Sequence, residues 1–213
     1  MREIKIKVCG MTDPSNIADV VMLNPQYLGF ILYNKSPRYV SIKTAENLVK
    51  KIPRSIQKTG VLVDEPLENA IRIARSGIFD LLQLHGNESA DYCKILSVYI
   101  RIIKAFSVRD SLPGNLMTCQ PFCTLFLFDT AGENFGGNGK KFDHMLLESY
   151  SLNTDYILSG GISSGDSTYL KSILSKRMVA VDLNSRFETK PGIKDIKQLK
   201  TFFDNIRTKD ENN

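Results

Sequence analysis

The sequence predicts an α/β protein, a single (β/α)8 TIM barrel with a parallel eight-stranded core, and three observations carry that expectation. Eight apolar runs of strand length recur along the 213 residues, with helix-like stretches between them. Most of these runs are apolar on both faces, which suits strands of a parallel sheet covered by helices. The unusual polar residues collect at the C-terminal ends of the runs, and in a closed barrel those ends converge on one face. A doubly wound open sheet is the competing architecture. The length suits one barrel, because α/β barrels of about 200–250 residues are commonly single domains.

The first run, IKIKVCG (4–10), ends in a cysteine and a glycine. Behind it Asp13-Pro14 supplies a helix cap and a proline at the first helical position of DPSNIADVVML. YLGFILY (27–33) is the second strand, and Ser41, with Thr44 and Glu46 downstream, opens the helix in SIKTAENLVKKI. QKTGVLVD (57–64) is the third strand. Asp64-Glu65-Pro66 then sets acid beside the N-terminus of EPLENAIRIARSG, and Asp64 reads as a local turn or capping residue. FDLLQLHG (79–86) and SADYCKILSVY form the fourth unit. RIIKAFSV (101–108) is the fifth strand, and the helix behind it, in SLPGNLMTCQ, is the weakest because proline and glycine interrupt it. CTLFLFDT (123–130), DYILSGG (155–161) and MVAVDLN (178–184) complete the eight. SSGDSTYLKSIL lies between the last two, and DIKQLKTFFDNI closes the chain with one apolar face. No linker or compositional break divides the chain, so residues 1–207 are expected to be one domain and 208–213 a short polar tail.

Composition excludes several classes. Hydrophobic content of 42% with 24% charged residues is that of a soluble globular protein rather than a disordered or collagen-like one. The 28 basic residues against 23 acidic ones give a mild +5 that is spread along the chain. That distribution argues against nucleic acid and fits a slight bias toward small anionic ligands. MREIKIKVCG has no signal-peptide pattern, and no run approaches the length of a membrane span. The expected location is the cytoplasm, with no membrane partner. In that reducing compartment Cys9, Cys93, Cys119 and Cys123 are expected to be free thiols. Two histidines and no CxxC spacing argue against a zinc site, so no metal is expected.

The strand ends carry Cys9, Asp64, Gln83, His85, Asp129, Gly160, Gly161, Asp182 and Asn184, with Lys104 inside the fifth strand. Cysteine, glutamine and histidine are not preferred caps, so capping alone does not account for the pattern. Two glycine-rich loops accompany it. AGENFGGNGKKFD (131–143) is long for a βα loop, and it fails the P-loop spacing because Lys141 stands where Ser or Thr is needed. LSGGISSGD (158–166) ends the seventh strand and opens a helix, which is where barrels commonly seat a phosphate on bare backbone N–H groups.

Taken in order, KVCGMTD, GFILYNKSPRYVS, GVLVDEP, LLQLHGNES, FLFDT with FGGNGKKFD, LSGGI and VDLNSRFETKPGIKD resemble the phosphoribosylanthranilate isomerase family of tryptophan biosynthesis. The matching pieces span Lys7 to Asp195, and their combination is far more specific than any one of them. The resemblance implies a (β/α)8 barrel and an Amadori rearrangement of N-(5-phosphoribosyl)anthranilate, with no metal or redox cofactor. It implies a general acid at Asp129 and a general base at Cys9, with Gly10 leaving room for substrate. An ordinary thiol titrates near pH 8.5, so electropositive surroundings are expected to raise the thiolate fraction, and Lys7 shares the strand face of Cys9. Asp129 must hold a proton near neutrality, which burial or a nearby anion favours.

Arg38 of KSPRY matches the family arginine that meets the anthranilate carboxylate. Gln83, His85 and Asp182 are expected to bind substrate, although His85 equally fits a structural hydrogen-bonding role. The phosphate is expected on Gly160 and Gly161 with Asn184 and Ser185. Two positions depart from the family pattern. NSRFE replaces SSGVE and puts Arg186 in the glycine position, and His144 stands where an aromatic follows the FD pair. Two-aspartate sugar isomerases carry aspartate where Cys9 stands, and retention of both Cys9 and Asp129 argues against a catalytically dead barrel. The partner expected is the small-molecule substrate, with the chain a monomer or homodimer.

Overall fold

Eight parallel strands close on themselves in chain order. They are β1 (Lys5–Val8), β2 (Tyr27–Ile31), β3 (Gln57–Leu62), β4 (Leu81–Leu84), β5 (Arg101–Val108), β6 (Leu125–Thr130), β7 (Tyr156–Leu158) and β8 (Met178–Leu183). The computed structural model describes residues 4–130, 143–173 and 175–208. The long glycine-rich loop up to residue 142 and the tail beyond 208 lie outside the described residues. Closure excludes the open sheet: Lys7 of β1 lies beside Tyr27 of β2 on one side and Asp182 of β8 on the other.

Strand alternation sorts the apolar residues into two layers. Tyr27, Leu81, Ile103, Ala105, Leu125, Leu127, Ile157, Val179 and Ala180 form one cluster that contains no helix residue, and it fills the barrel interior. Ile6, Val8, Leu82, Leu84, Phe126, Phe128 and Val181 point the other way and pack with the helices. The same alternation corrects one expectation. Lys104 sits between the inward-facing Ile103 and Ala105, so it faces the helix layer. There it pairs with Glu88 at 3.0 Å and donates to the Gly86 carbonyl at 2.8 Å, away from the barrel mouth.

The helices are α1 (Pro14–Met22), α2 (Ile42–Val49), α3 (Leu67–Arg75), α4 (Ala90–Ser97), α5 (Leu116–Cys119), α6 (Ser167–Ser172) and α7 (Ile196–Arg207). Asp13 and Ser41 cap as expected, accepting from the Asn16 and Thr44 N–H groups at 2.8 and 3.1 Å. Asp64 does not cap α3. Its backbone is left-handed (φ 49°) and its carboxylate accepts from the Asn87 N–H at 2.6 Å, tying two loops together. The proline and glycine before α5 leave it one turn long. Between β6 and β7 the described residues hold only a 3-10 helix, His144–Ser149.

α7 buries Leu199, Phe202, Phe203 and Ile206, spaced i, i+3, i+4, i+7, each contributing roughly 1.5–3 kcal/mol of apolar burial. Arg207 donates to the Leu23 and Asn24 carbonyls, tying α7 to the end of α1. An antiparallel hairpin, β9 (Glu188–Lys190) with β10 (Ile193–Lys194), was not foreseen from the apolar pattern. All four cysteines are free thiols. Among the described residues no helix is long and apolar enough to cross a membrane.

Candidate active site

Lys7 and Cys9 follow one another on the inner face of the first strand, because Ile6 and Val8 take the outer face. Cys9 is 4% exposed at the C-terminal end of β1, where its N–H donates to the Leu183 carbonyl at 2.9 Å. Its register neighbour on β2 is Gly29, and a Cβ there would lie 2.6 Å from the Cys9 Sγ. The missing side chain is therefore the space the thiol occupies. Lys7 is fully buried, its ammonium 2.9 Å from Asp182 Oδ1, one inward position before the thiol.

Burial opposes the Lys7 charge, but Asp182 and Cys9 outweigh it and hold the group above the ordinary lysine range. Burial pushes the Cys9 thiol up. Lys7 and Lys194 pull it down and Asp182 pushes it further, and the net shift is upward. This corrects the expectation drawn from a positive neighbour alone: desolvation outweighs the lysines, and the resting site favours the thiol.

Three strands round the barrel, Asp129 projects from the end of β6. Its Oδ1 accepts from the Thr130 N–H at 2.9 Å, and its Oδ2 lies 3.3 Å from His85 Nε2. His85 Nδ1 is 2.7 Å from Gln83 Nε2. An amide NH2 only donates, so this setting makes Nδ1 the acceptor and directs the Nε2 proton at Asp129. The structure thus joins Gln83, His85 and Asp129 in one chain. The Gln83 carbonyl oxygen and the Thr59 hydroxyl are buried without a partner among the described residues.

Arg38 arrives from the loop after β2 and is clamped by Glu188, which accepts from Nε at 2.9 Å and from Nη2 at 2.6 Å. That leaves both Nη1 hydrogens and one on Nη2 for an anion. Gly10 (φ +79°) belongs to this cluster, since a Cβ there would fall 2.6 Å from Arg38 Cδ and 2.8 Å from Asn184 Oδ1. The space at Gly10 is filled by these side chains rather than left for substrate.

Glu188 also takes the buried Lys194 ammonium at 2.7 Å, and Lys194 in turn donates to Asn184 Oδ1 at 2.9 Å. Burial works against the charge of Glu188, but Arg38 and Lys194 hold its carboxyl below the usual range. Burial, offset in part by Glu188, lowers Lys194. Sequence reasoning missed Glu188 and Lys194 as a pair. The available signal was the Pro191-Gly192 turn, which folds the two back on each other.

Gly160 (φ +91°) and Gly161 (φ +64°) turn the chain sharply after β7, and neither N–H donates to a described residue. A Cβ at Gly160 would collide with Thr130. Asn184 precedes a 3-10 helix (Ser185–Phe187) that buries Phe187 against Phe202. Arg186 has no positive φ in that helix, so the missing glycine leaves no strain there. His144 is buried and stacks on Tyr169 at 5.6 Å, its flat ring supplying the aromatic surface. Among the described residues no group of three or more His, Cys, Asp or Glu is arranged to hold a metal ion.

A family profile described as N-(5'phosphoribosyl)anthranilate (PRA) isomerase matches residues 6–205. N-(5'-phosphoribosyl)anthranilate isomerase of Parabacteroides distasonis is 38% identical over 204 residues, covering 94% of this chain and 92% of the relative. Two solved structures are close in fold, each covering 95% of this chain and 98% of its own. One is of monomers generated from the dimeric phosphoribosylanthranilate isomerase of Thermotoga maritima, 28% identical with a TM-score of 0.81. The other is a phosphoribosylanthranilate isomerase in complex with reduced 1-(o-carboxyphenylamino)-1-deoxyribulose 5-phosphate, 28% identical with a TM-score of 0.78.

Proposed function

The chain belongs to the N-(5'-phosphoribosyl)anthranilate isomerase family and is an aldose-ketose isomerase of tryptophan biosynthesis; from that premise we propose that Cys9 is its general base and Asp129 its general acid. The reaction converts N-(5'-phosphoribosyl)anthranilate to 1-(2-carboxyphenylamino)-1-deoxyribulose 5-phosphate. Asp129 gives its proton to the ribose ring oxygen as the C1′–O bond breaks, and the anthranilate nitrogen lone pair closes to a protonated Schiff base. The Cys9 thiolate then takes the C2′ proton. The C2′–H electron pair forms the C1′–C2′ double bond of an enolamine, which takes up a proton at C1′ as its C2′ hydroxyl gives up its own, leaving the ketone.

The observation that carries this reading is the placement of the two groups. Both stand at the C-terminal mouth, and the strands that carry them are three apart round the ring. The Gln83–His85 pair suits the acid. Half a turn of the Gln83 amide presents its unpartnered Oε1 to Nδ1, moves the imidazole proton there and leaves Nε2 to accept from an Asp129 O–H. Asp182 then serves the substrate side indirectly, through Lys7. The free edge of Arg38 takes the anthranilate carboxylate, for which a planar guanidinium is well matched. The Gly160 and Gly161 amides, with the Asn184 amide and the Ser185 hydroxyl, take the phosphate. The oligomeric state is a monomer or a homodimer, the Thermotoga maritima relative being described as dimeric.

The test is loss of anthranilate-ester fluorescence, followed for the wild type, Cys9→Ala and Asp129→Asn. Each change is expected to lower kcat by roughly 10²–10⁴ while circular dichroism stays that of the wild type. Near-full turnover in either folded variant removes that residue from its role.

A further inference from the structure

We propose that the Lys7 ammonium, seated by Asp182, is the positive charge that enables the Cys9 thiol to work as a base. This deepens the reading above and rests on it. A lysine with no exposed surface inside a barrel is costly, because a buried ion pair gains little over well-packed apolar side chains. Much of the interior, from Leu81 round to Val179, is apolar, with Gln83 and Thr59 the uncharged polar side chains buried among the strands. The pair nonetheless occupies the inward position directly below Cys9, with Lys7 and Asp182 register partners on adjacent strands. The ammonium has three hydrogens. One goes to Asp182 Oδ1 at 2.9 Å, and Cys9 is the next residue along the same inner face of the strand.

The charged groups that face Cys9 are Lys7 on its own strand, Asp182 on β8 and Lys194 on β10. Of these only Lys7 is both beside the thiol and pinned by a carboxylate that has no other described partner. Lys194 is engaged by Glu188 and Asn184. Lys7 keeps its proton throughout: it offsets the sulfur charge before the C2′ proton moves and gives up nothing itself. It acts through Cys9 and is a positioning residue rather than a catalytic one. Asp182 has two opposed effects, holding Lys7 in place and repelling the thiolate. Removing one charge or the other must therefore move the thiol in opposite directions.

The experiment follows carboxamidomethylation of Cys9 by iodoacetamide against pH, read on the Cys9 peptide by mass spectrometry. It uses folded wild type, Lys7→Met and Asp182→Asn, with kcat/KM profiles of the wild type and Lys7→Met beside it. In Lys7→Met the thiol is expected to titrate at higher pH, with alkylation at pH 8 slowed roughly tenfold or more. The acid limb of kcat/KM is expected to move up by the same interval, with activity partly regained in alkaline buffer. In Asp182→Asn alkylation at pH 8 is expected to be faster than in the wild type. An unmoved thiol titration in Lys7→Met overturns the proposal, as does a shift of the same sign in both variants. If Lys7→Met does not fold, Asp182→Asn decides alone, and an unchanged or raised midpoint there overturns it. Full activity of Cys9→Ala sinks the base assignment yet leaves the thiol titration readable, so the two failures are distinct.

Discussion

At the scale of single residues, the site depends on an absence as much as on its functional groups. Cys9 can point into the barrel because Gly29 offers no side chain at the one place where the two strands face each other. An alanine there needs the thiol to move, and a misplacement of about 1 Å at a reacting group costs on the order of 10²-fold in rate. Gly29→Ala is therefore expected to fold, losing about 1–3 kcal/mol to overpacking, with kcat roughly a hundredfold lower. Steady-state turnover with a urea titration of the same preparation reads both quantities, and an unchanged kcat contradicts this account of the space. Gly29 was not legible in the sequence, where a glycine inside an apolar run signals only a weakened strand. Lys7 and Cys9 were partly legible, since a period of two puts them on one face. The net direction of the thiol was not, because it depends on how deeply the strand end is buried.

At the scale of elements, the β9–β10 hairpin sets Arg38, the cation proposed to meet the substrate carboxylate. Glu188 holds Arg38 from one side and Lys194 from the other, so the hairpin fixes the guanidinium plane that the loop after β2 merely delivers. Glu188→Gln leaves Lys194 buried beside a neutral amide and frees Arg38 to swing. The expected outcome is a KM raised about tenfold with kcat changed less, and stability lower by on the order of 3 kcal/mol. Substrate-saturation kinetics and urea midpoints check the two parts, and an unaltered KM dissociates the hairpin from binding. The eight strands and the longer helices were legible because hydrophobic period and caps act locally, as at Asp13 and Ser41. The hairpin was not, because six polar and small residues carry little apolar pattern. Lys104 was misplaced for a related reason: which face a strand residue takes depends on the phase of alternation, which the apolar-on-both-faces run RIIKAFSV does not reveal.

At the scale of the molecule, the shifted groups combine into a pH profile of stability. Burial raises Cys9, Tyr27 and Tyr156, pushes Tyr150 up to about 12, and Asp182 with Cys9 outweighs burial to raise Lys7. Each of these groups binds its proton more tightly folded than unfolded. Their contribution is complete below the unfolded values and is lost as pH rises through the folded ones. Glu188 has the opposite sign: its contribution is present above the unfolded carboxylate value and is lost as pH falls through the folded one. Lys194, lowered by burial, and Cys93, lowered by its hydrogen bond with Cys123, oppose the alkaline fall. Tyr92, Tyr169, Cys119 and Cys123 are raised and add to it.

The expected curve has a plateau between about pH 5 and 8, a decline above about pH 9 as the unfolded chain sheds thiol and phenol protons first, and a second decline below about pH 4. Urea midpoints across that range measure it, and a midpoint that rises from pH 8 to 10 contradicts the assignment. The same thiol that loses stability on the alkaline side gains reactivity there, since in the proposed mechanism only the thiolate accepts the C2′ proton. Turnover is therefore expected to climb through the pH interval in which the fold begins to weaken. Initial rates measured before and after preincubation at each pH separate the two: the chemical limb survives a return to pH 7 unchanged, and the folding limb carries the loss with it.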